Sequence, residues 1–165
     1  MAVTTQKSTL ITNLEADPVV YPDAIDLRGK LRVYRFDFTQ SGAGDANSTV
    51  DLFYLPPGRS RIYMPLSEVH TSAWGTGTSM DIGWAAHTDI EGDAVAVDVD
   101  GLVNGADIAA AGLFSEAELR SGAGLDDLDT KLIETRERVL IQAIALGAGI
   151  PDAATMKGHF IVASE

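Results

Sequence analysis

The chain has 165 residues, no cysteine and a formal net charge of −12, from 24 acidic and 12 basic residues. The lack of cysteine excludes thiolate catalysis, disulfides and cysteine-ligated zinc, and the acidic balance disfavours binding of free nucleic acid. No run of about 18 apolar residues predicts a membrane span, and residues 1–30 contain no export signal. We therefore expect one domain made in the cytoplasm, with neither nucleic acid nor membrane as a partner.

The charges are segregated along the chain. Residues 81–129 hold 12 of the 24 acids and a single base, Arg120. Residues 28–61 hold six of the 12 bases, which are Arg28, Lys30, Arg32, Arg35, Arg59 and Arg61. This pattern fits either a solvated surface or two complementary patches that meet between copies in an assembly.

Residues 1–27 are predicted to form an extended N-terminal arm. Threonine and serine are frequent there, and the apolar residues follow no period. Pro18 and Pro22 disfavour both a helix and a central strand.

Strands dominate the sequence from residue 28 onward. In "KLRVYRFDF" (30–38) the apolar parity changes near residues 34–35, which predicts either a β-bulge or a strand covered on both faces. The segment 49–55 is rich in β-forming residues and ends at a Pro-Pro-Gly turn. Alternating patterns then predict separate strands at 59–66 and 68–74.

The stretch "GTGTSMDIGWAA" (75–86) predicts a glycine turn followed by a strand. Met80, Ile82 and Trp84 share one parity, whereas Asp81 and Gly83 share the other. We expect a half-buried strand with Trp84 anchored in the core.

The strand signal fades between residues 87 and 130, where alanine, glycine and aspartate prevail. This segment is predicted to be a long acidic loop with one short helix, since Ser115 and Glu118 have capping-box spacing. Strands resume at 131–135, 138–146 and 154–164, and the second is apolar on both faces, as in a central strand. The expected fold of residues 28–165 is all-β, an antiparallel β-sandwich of jelly-roll type.

No catalytic motif is present, and no cofactor is expected. "GTGTSM" lacks the third glycine of a dinucleotide loop, and a strand follows where a helix is required. His70, His87 and His159 show no metal-ligand spacing. An irregular calcium cage is an open alternative to a solvated acidic loop, and its candidate ligands are Asp93, Asp98, Asp100 and Asp107.

Two segments resemble a group of small virion proteins of tailed bacteriophages. The first, "GRSRIYMPLSEVHTSAWGTGTSMDIGWAAHTDIEGDAVAVDVDGLVNG" (58–105), has their apolar strand, Gly-Thr turn, D-I-G-W and D-x-D-G-L. The second, "RVLIQAIALGAGIPDAATMKGHFIVAS" (138–164), is similar to their last two strands. Together they cover a little under half of the chain.

This resemblance implies a structural role in the virion, as a decoration or cement protein on the phage head, with the major capsid protein and copies of itself as partners. A homotrimer is the expected assembly, because cyclic closure matches the threefold positions of a shell. We expect the arm to contact neighbours through Leu10, Ile11, Val19, Val20 and Tyr21. Expected charged contacts are Arg32, Arg35, Arg59 and Arg61.

Two other classes of function remain open from the sequence. A tail or head-fibre protein could bind a receptor or glycan through Tyr54, Tyr63 or Trp74. A small β-sandwich enzyme would need a cleft with convergent carboxylates, whose spacing a sequence does not reveal.

Overall fold

A computed structural model describes Pro18 and residues 30–164. The predicted arm therefore lies outside the described residues, apart from Pro18. The described strands are β1 (Lys30–Thr39), β2 (Thr49–Leu55), β3 (Gly58–Thr71), β4 (Ser79–Trp84), β5 (His87–Thr88), β6 (Ala94–Val95), β7 (Asp98–Asp107), β8 (Gly112–Leu113), β9 (Thr130–Thr135), β10 (Val139–Leu146) and β11 (Thr155–Ser164), and one helix, α1, spans Glu116–Leu119.

Two antiparallel sheets form a β-sandwich, as the sequence predicts. In the five-stranded sheet, β1 is an edge strand paired with β11, β11 pairs with β3, and β8 and β9 both pair with β3. The four-stranded sheet has the order β2-β10-β4-β7. A separate two-stranded ribbon joins β5 to β6.

The core lies between the two sheets and is almost entirely apolar. Strand β10 alternates between fully and partly buried residues along its length, and it pairs with β2 and β4, which confirms the predicted central strand. Phe53 of β2 packs against Tyr34 and Phe160 of the facing sheet, at centroid distances of 5.0 and 5.4 Å. Burial of each large side chain of this kind contributes about 1.5–3 kcal/mol before entropy is subtracted.

Strand β1 contains no bulge, so that part of the prediction was wrong. Its pairing with β11 runs without interruption from Lys30↔Ser164 to Thr39↔Thr155. Phe36 is buried and Phe38 packs against the core, whereas Leu31 and Val33 are exposed. The parity change in the sequence therefore marks apolar residues on both faces of a regular strand.

Strand β3 is a single 14-residue strand where the sequence predicted two. Ile62 and Met64 are buried before residues 65–67, and Val69 is buried after them with the opposite parity. The register with β11 shifts at the same place, between His159 and Ile161. Ser67 bridges the irregularity: its hydroxyl donates to the carbonyl of Tyr63 (2.8 Å) and accepts the amide N–H of Ile161 (3.2 Å). A bulge therefore keeps one face of a long strand in the core.

Strand β4 is buried on both faces rather than on one. Trp84 is a core residue as predicted, but Asp81 and Gly83 are buried as well. The backbone of β7 covers Gly83 so closely that an added Cβ would lie 1.9 Å from the carbonyl oxygen of Asp98.

The segment 87–130 is not a continuous loop, because it contains β7, an edge strand of ten residues. The register between β4 and β7 shifts twice, and residues 101–103 are buried in succession. This strand therefore lacks the period of two by which a strand is recognised. The predicted capping box is confirmed: the Ser115 hydroxyl accepts from the Glu118 amide, and the Glu118 carboxylate accepts from the Ser115 amide.

We expect Gly83→Ala to destabilise the fold, because the new Cβ would push β7 away from β4. Overpacking of this kind costs about 1–3 kcal/mol, which urea unfolding measures. Gly112→Ala is the matched control, since nothing lies within 4 Å of the Cβ that it adds in another strand. Equal unfolding midpoints for the two variants would contradict the close approach of β7.

Candidate interaction surfaces

The five-stranded sheet turns one face away from the core, and we call this the outer face. The strand register places its side chains in rows across β1, β11 and β3. The rows are Leu31–Ala163–Arg61, Val33–Ile161–Tyr63, Arg35–His159–Glu68 and Asp37–Lys157–His70.

The centre of the outer face is apolar and exposed. Leu31 is 68% exposed, Val33 54% and Leu66 58%. Leu66 projects from the bulge of β3, between the row of Val33 and the row of Arg35. Single exposed leucines are common on protein surfaces, but a cluster on one sheet face marks a contact site more often.

The four arginines expected to contact partners all lie on this sheet, but their states differ. Arg59 pairs with Glu134 (Nε–Oε1 2.6 Å), and Arg61 pairs with Asp126 (Nη1–Oδ2 3.1 Å). Arg32 donates from Nε to the Ser164 hydroxyl at 2.9 Å. Arg35 is on the outer face, and its guanidinium has no ion pair among residues 30–164. Two of the four are therefore engaged by acids of their own chain.

A shallow groove of about 560 Å³ crosses the charged rows of the outer face. Its lining includes Arg35, Asp37, Lys157 and His159. His70 is also in the lining, and its Nε2 lies 2.6 Å from Oε1 of Glu68. Charges of both signs alternate in this groove, and such a surface suits a polar protein contact better than a buried small molecule.

Asp126 organises the turn that leads into β9. Its Oδ1 accepts the amides of Leu128 (3.0 Å) and Thr130 (2.9 Å), and its Oδ2 accepts the Thr130 hydroxyl (2.6 Å). Burial by itself would raise the pKa of this carboxyl, but the bonds from Thr130 and Leu128 and the charge of Arg61 outweigh it and lower the pKa. The turn therefore stabilises the ionised carboxylate.

The four calcium candidates are spread over three places. Asp93 is in the connection between β5 and β6, Asp98 and Asp100 begin β7, and Asp107 ends it. Asp98 and Asp107 pair with Trp84 and Ser79 of β4, which are five residues apart, so about 17 Å of sheet separates the two aspartates at 3.4 Å per residue. Among the residues that the structure describes, no group of three or more His, Asp or Glu side chains could hold a metal ion.

The acidic residues of β4 and β7 are held by contacts within the chain. Asp81 accepts the amide of Gly105 at 2.7 Å, and burial is the main cause of its raised pKa. Burial also raises the pKa of Asp98, and the hydrogen bond and charge of Asp100 add to this effect. Asn104 donates from Nδ2 to Asp100 at 3.0 Å. Asp98 and Asp100 therefore lie close enough to repel each other.

A second cavity, of about 230 Å³, lies beside Trp84 and is also lined by His87, Lys131 and Glu134. The ammonium of Lys131 sits 4.5 Å from the ring centroid of Trp84, a cation–π contact. His87 faces the carbonyl of Ala85 (Nδ1···O 3.0 Å), and no Ser or Thr hydroxyl bonds to a histidine within residues 30–164. The described residues of this cavity therefore form no Ser–His or Thr–His pair.

Of the three aromatic residues considered for glycan binding, Trp74 is buried. It is 2% exposed, and its Nε1 donates to the carbonyl of Thr155 at 3.3 Å. Tyr63 is half-buried on the outer face, and Tyr54 is 54% exposed on the other sheet. Trp74 therefore cannot stack on a sugar, and the two tyrosines lie on different sheets.

No protein-family model matches the sequence, and no curated protein is significantly similar to it. Among the described residues, no helix has the length and apolar character to span a membrane.

Comparison with solved structures finds viral capsid chains. A chain of the cyanophage Pam1 capsid asymmetric unit superposes with a TM-score of 0.52 at 10% sequence identity, over 82% of this chain and 85% of that one. VP2 in a subviral particle of infectious bursal disease virus gives a TM-score of 0.41 at 14% identity, over 82% of this chain and 33% of that one. At these identities the likeness is one of fold, and this chain has a β-fold of the kind found in viral capsids.

We expect Asp126→Asn to lower stability at neutral pH by about 1 kcal/mol, the usual net value of a hydrogen bond. Because the folded-state pKa is lowered, the carboxylate stabilises the protein fully above the ordinary aspartate value of 3.8. That contribution is lost as the pH falls through the lower folded-state pKa. Urea unfolding of the variant and the wild-type chain measures this stability difference at neutral pH and again well below pH 3.8. Asp127→Asn is the control, with the same loss of charge and no hydrogen bond from that side chain among the described residues; a deficit of D126N that persisted in acid would contradict this account.

We expect Asp98→Asn to raise the urea midpoint at neutral pH, because it removes a partly buried carboxylate that the negative charge of Asp100 repels. The folded-state pKa is raised, so the wild-type chain regains this stability as the pH falls through that pKa towards 3.8. The difference in urea midpoint between Asp98→Asn and the wild-type chain should therefore shrink over the same pH range. Asp93→Asn, at an exposed position, should leave the midpoint unchanged. A lower midpoint for Asp98→Asn would mean that its attraction to Lys131 dominates.

Proposed function

We propose that this chain is a structural protein of a phage virion, a decoration (cement) protein on the surface of the head. The observation that carries the proposal is the superposition on a capsid chain over more than four-fifths of both chains. The likeness therefore concerns the whole β-sandwich and not a small shared motif. It adds to the resemblance of segments 58–105 and 138–164 to small virion proteins of tailed phages.

The described surface suits a protein that works through contacts. The outer face carries an exposed apolar centre, and a charged groove lies beside it. A decoration protein lowers the free energy of a closed shell by bridging its subunits through many repeated small interfaces. Multivalency makes such contacts hard to break collectively even where each is weak.

In this proposal the major capsid protein and further copies of the chain are the partners, and three copies assemble around a threefold position. The arm contacts neighbouring subunits through Leu10, Ile11, Val19, Val20 and Tyr21. Arg35 and Arg32 are the charged contacts best placed for a partner, since Arg59 and Arg61 already hold Glu134 and Asp126. No calcium, other cofactor or catalytic step is required.

The copy number of the chain in purified virions tests the proposal. Quantitative mass spectrometry would compare it with the major capsid protein in particles of the phage whose genome encodes the chain. We expect a ratio near one, or a simple fraction set by the local threefold positions of the shell. A few copies per particle would favour a tail or fibre component instead, and absence from the particle would refute a virion role.

A further inference from the structure

The apolar centre of the outer face is exposed to solvent in the single chain. Leu31, Val33 and Leu66 are each more than half exposed, and Ile161 and Tyr63 fill the space between them. Strand β1, which carries two of these residues, is an edge strand of its sheet. An exposed apolar face beside an open strand edge is a site at which another chain segment binds.

The charge of the outer face limits which surfaces can approach it. By register, it carries four bases, Arg35, Arg59, Arg61 and Lys157, and three acids, Asp37, Glu68 and Glu134. Asp126, which pairs with Arg61, brings the number of acids to four. The whole chain has 24 acids and 12 bases. This face therefore repels an acidic segment less than the average surface of the molecule does, and Arg35 and Lys157 can attract one.

One segment of the chain has the complementary pattern. Residues 15–26, "EADPVVYPDAID", contain four acids and no base, and the acids flank the apolar run Val19, Val20 and Tyr21. Pro18 and Pro22 bias the residues before them towards an extended backbone. An extended segment of this kind can lie along a sheet face, with its apolar run over Leu31 and Val33 and an acidic end towards Arg35 and Lys157.

We infer that residues 15–26 of one copy bind the outer face of a neighbouring copy. Pro18, the described residue of this segment, is exposed in the single chain. Binding to the same copy would require the chain to reverse direction within residues 27–29, the three residues between the segment and Lys30 of β1, which span at most about 11 Å. A segment from a neighbour meets no such constraint, and reciprocal exchange around a ring closes a cyclic assembly.

This inference deepens the proposed assembly and names its contact, but its test needs no virus particles. The inference can therefore fail while the copy number in virions still supports decoration. Equally, the copy number can refute decoration while the contact between copies is still found.

Cysteine cross-linking of the full-length protein tests the contact, because the natural chain contains no cysteine. Val19→Cys in one preparation is mixed with Val33→Cys in another of different tag length, and a short bifunctional thiol reagent is added. Tyr54→Cys replaces Val33→Cys in the control mixture. Val33 and Tyr54 are both 54% exposed and both lie in edge strands, but on opposite sheets.

We expect the mixed product of Val19→Cys and Val33→Cys to be at least several-fold more abundant than that of Val19→Cys and Tyr54→Cys. Equal yields would overturn the inference. A double variant, Val19→Cys with Val33→Cys in one chain, distinguishes the source of the segment. Cross-linked oligomers support a neighbour, whereas a cross-linked monomer as the main product would show that each chain covers its own sheet.

Sedimentation of variants without cysteine gives a second measurement. Val33→Asp adds a negative charge where the acidic segment binds and should shift the protein towards monomer, whereas Tyr54→Asp should not. Both positions are exposed, so both variants are expected to fold, which their unfolding midpoints check. An unchanged assembly state for Val33→Asp would contradict the inference as directly as equal cross-linking would.

Discussion

The bulge in β3 at residues 65–67 decides what both faces of the five-stranded sheet present. A regular strand of 14 residues would move either Met64 or Val69 out of the core, because side chains alternate with a period of two. The Ser67 hydroxyl satisfies backbone groups of Tyr63 and Ile161 at the irregularity, so β3 stays paired with β11 on either side of it. The same irregularity leaves Leu66 exposed, between the row of Val33 and Ile161 and the row of Arg35 and His159. Core packing and an apolar outer face thus have one origin.

Electrostatics separates this face from the rest of the molecule. Several acids of residues 81–129 form hydrogen bonds within the chain. Asp81 accepts from the amide of Gly105, Asp126 accepts from groups in the turn before β9, and Asp98 shares a hydrogen bond with Asp100. Burial is the main cause of the raised pKa values of Asp81 and Asp98, and the negative charge of Asp100 adds to it. The outer face of the five-stranded sheet instead carries similar numbers of acidic and basic side chains. In a chain with a net charge of −12, that is where another copy can approach with the least repulsion.

The surface features favour contact over chemistry. The larger hollow is an open groove with alternating charges, and the smaller one is bordered by a lysine stacked on Trp84. Arg59 and Arg61 pair with the carboxylates of Glu134 and Asp126 on the β3–β9 side of the sheet. The β-sandwich that supports these features superposes on a capsid chain over most of its length.

Local patterns in the sequence determined the all-β class, the central position of 138–146, the core role of Trp84 and the capping box at Ser115. Each depends on the alternation of side chains or on hydrogen bonds within four residues, which neighbouring residues decide. The bulge in β3, the regular course of β1 and the burial of Asp81 and Gly83 depend on partner strands that are distant in the chain. Strand β7 shows this most clearly: its glycines and aspartates carry no strand period, and it becomes a strand because β4 offers an edge to pair with. The sequence likewise marked the arginines as contacts, but only the tertiary structure brought Glu134 and Asp126 to two of them and left Arg35 beside the exposed apolar centre.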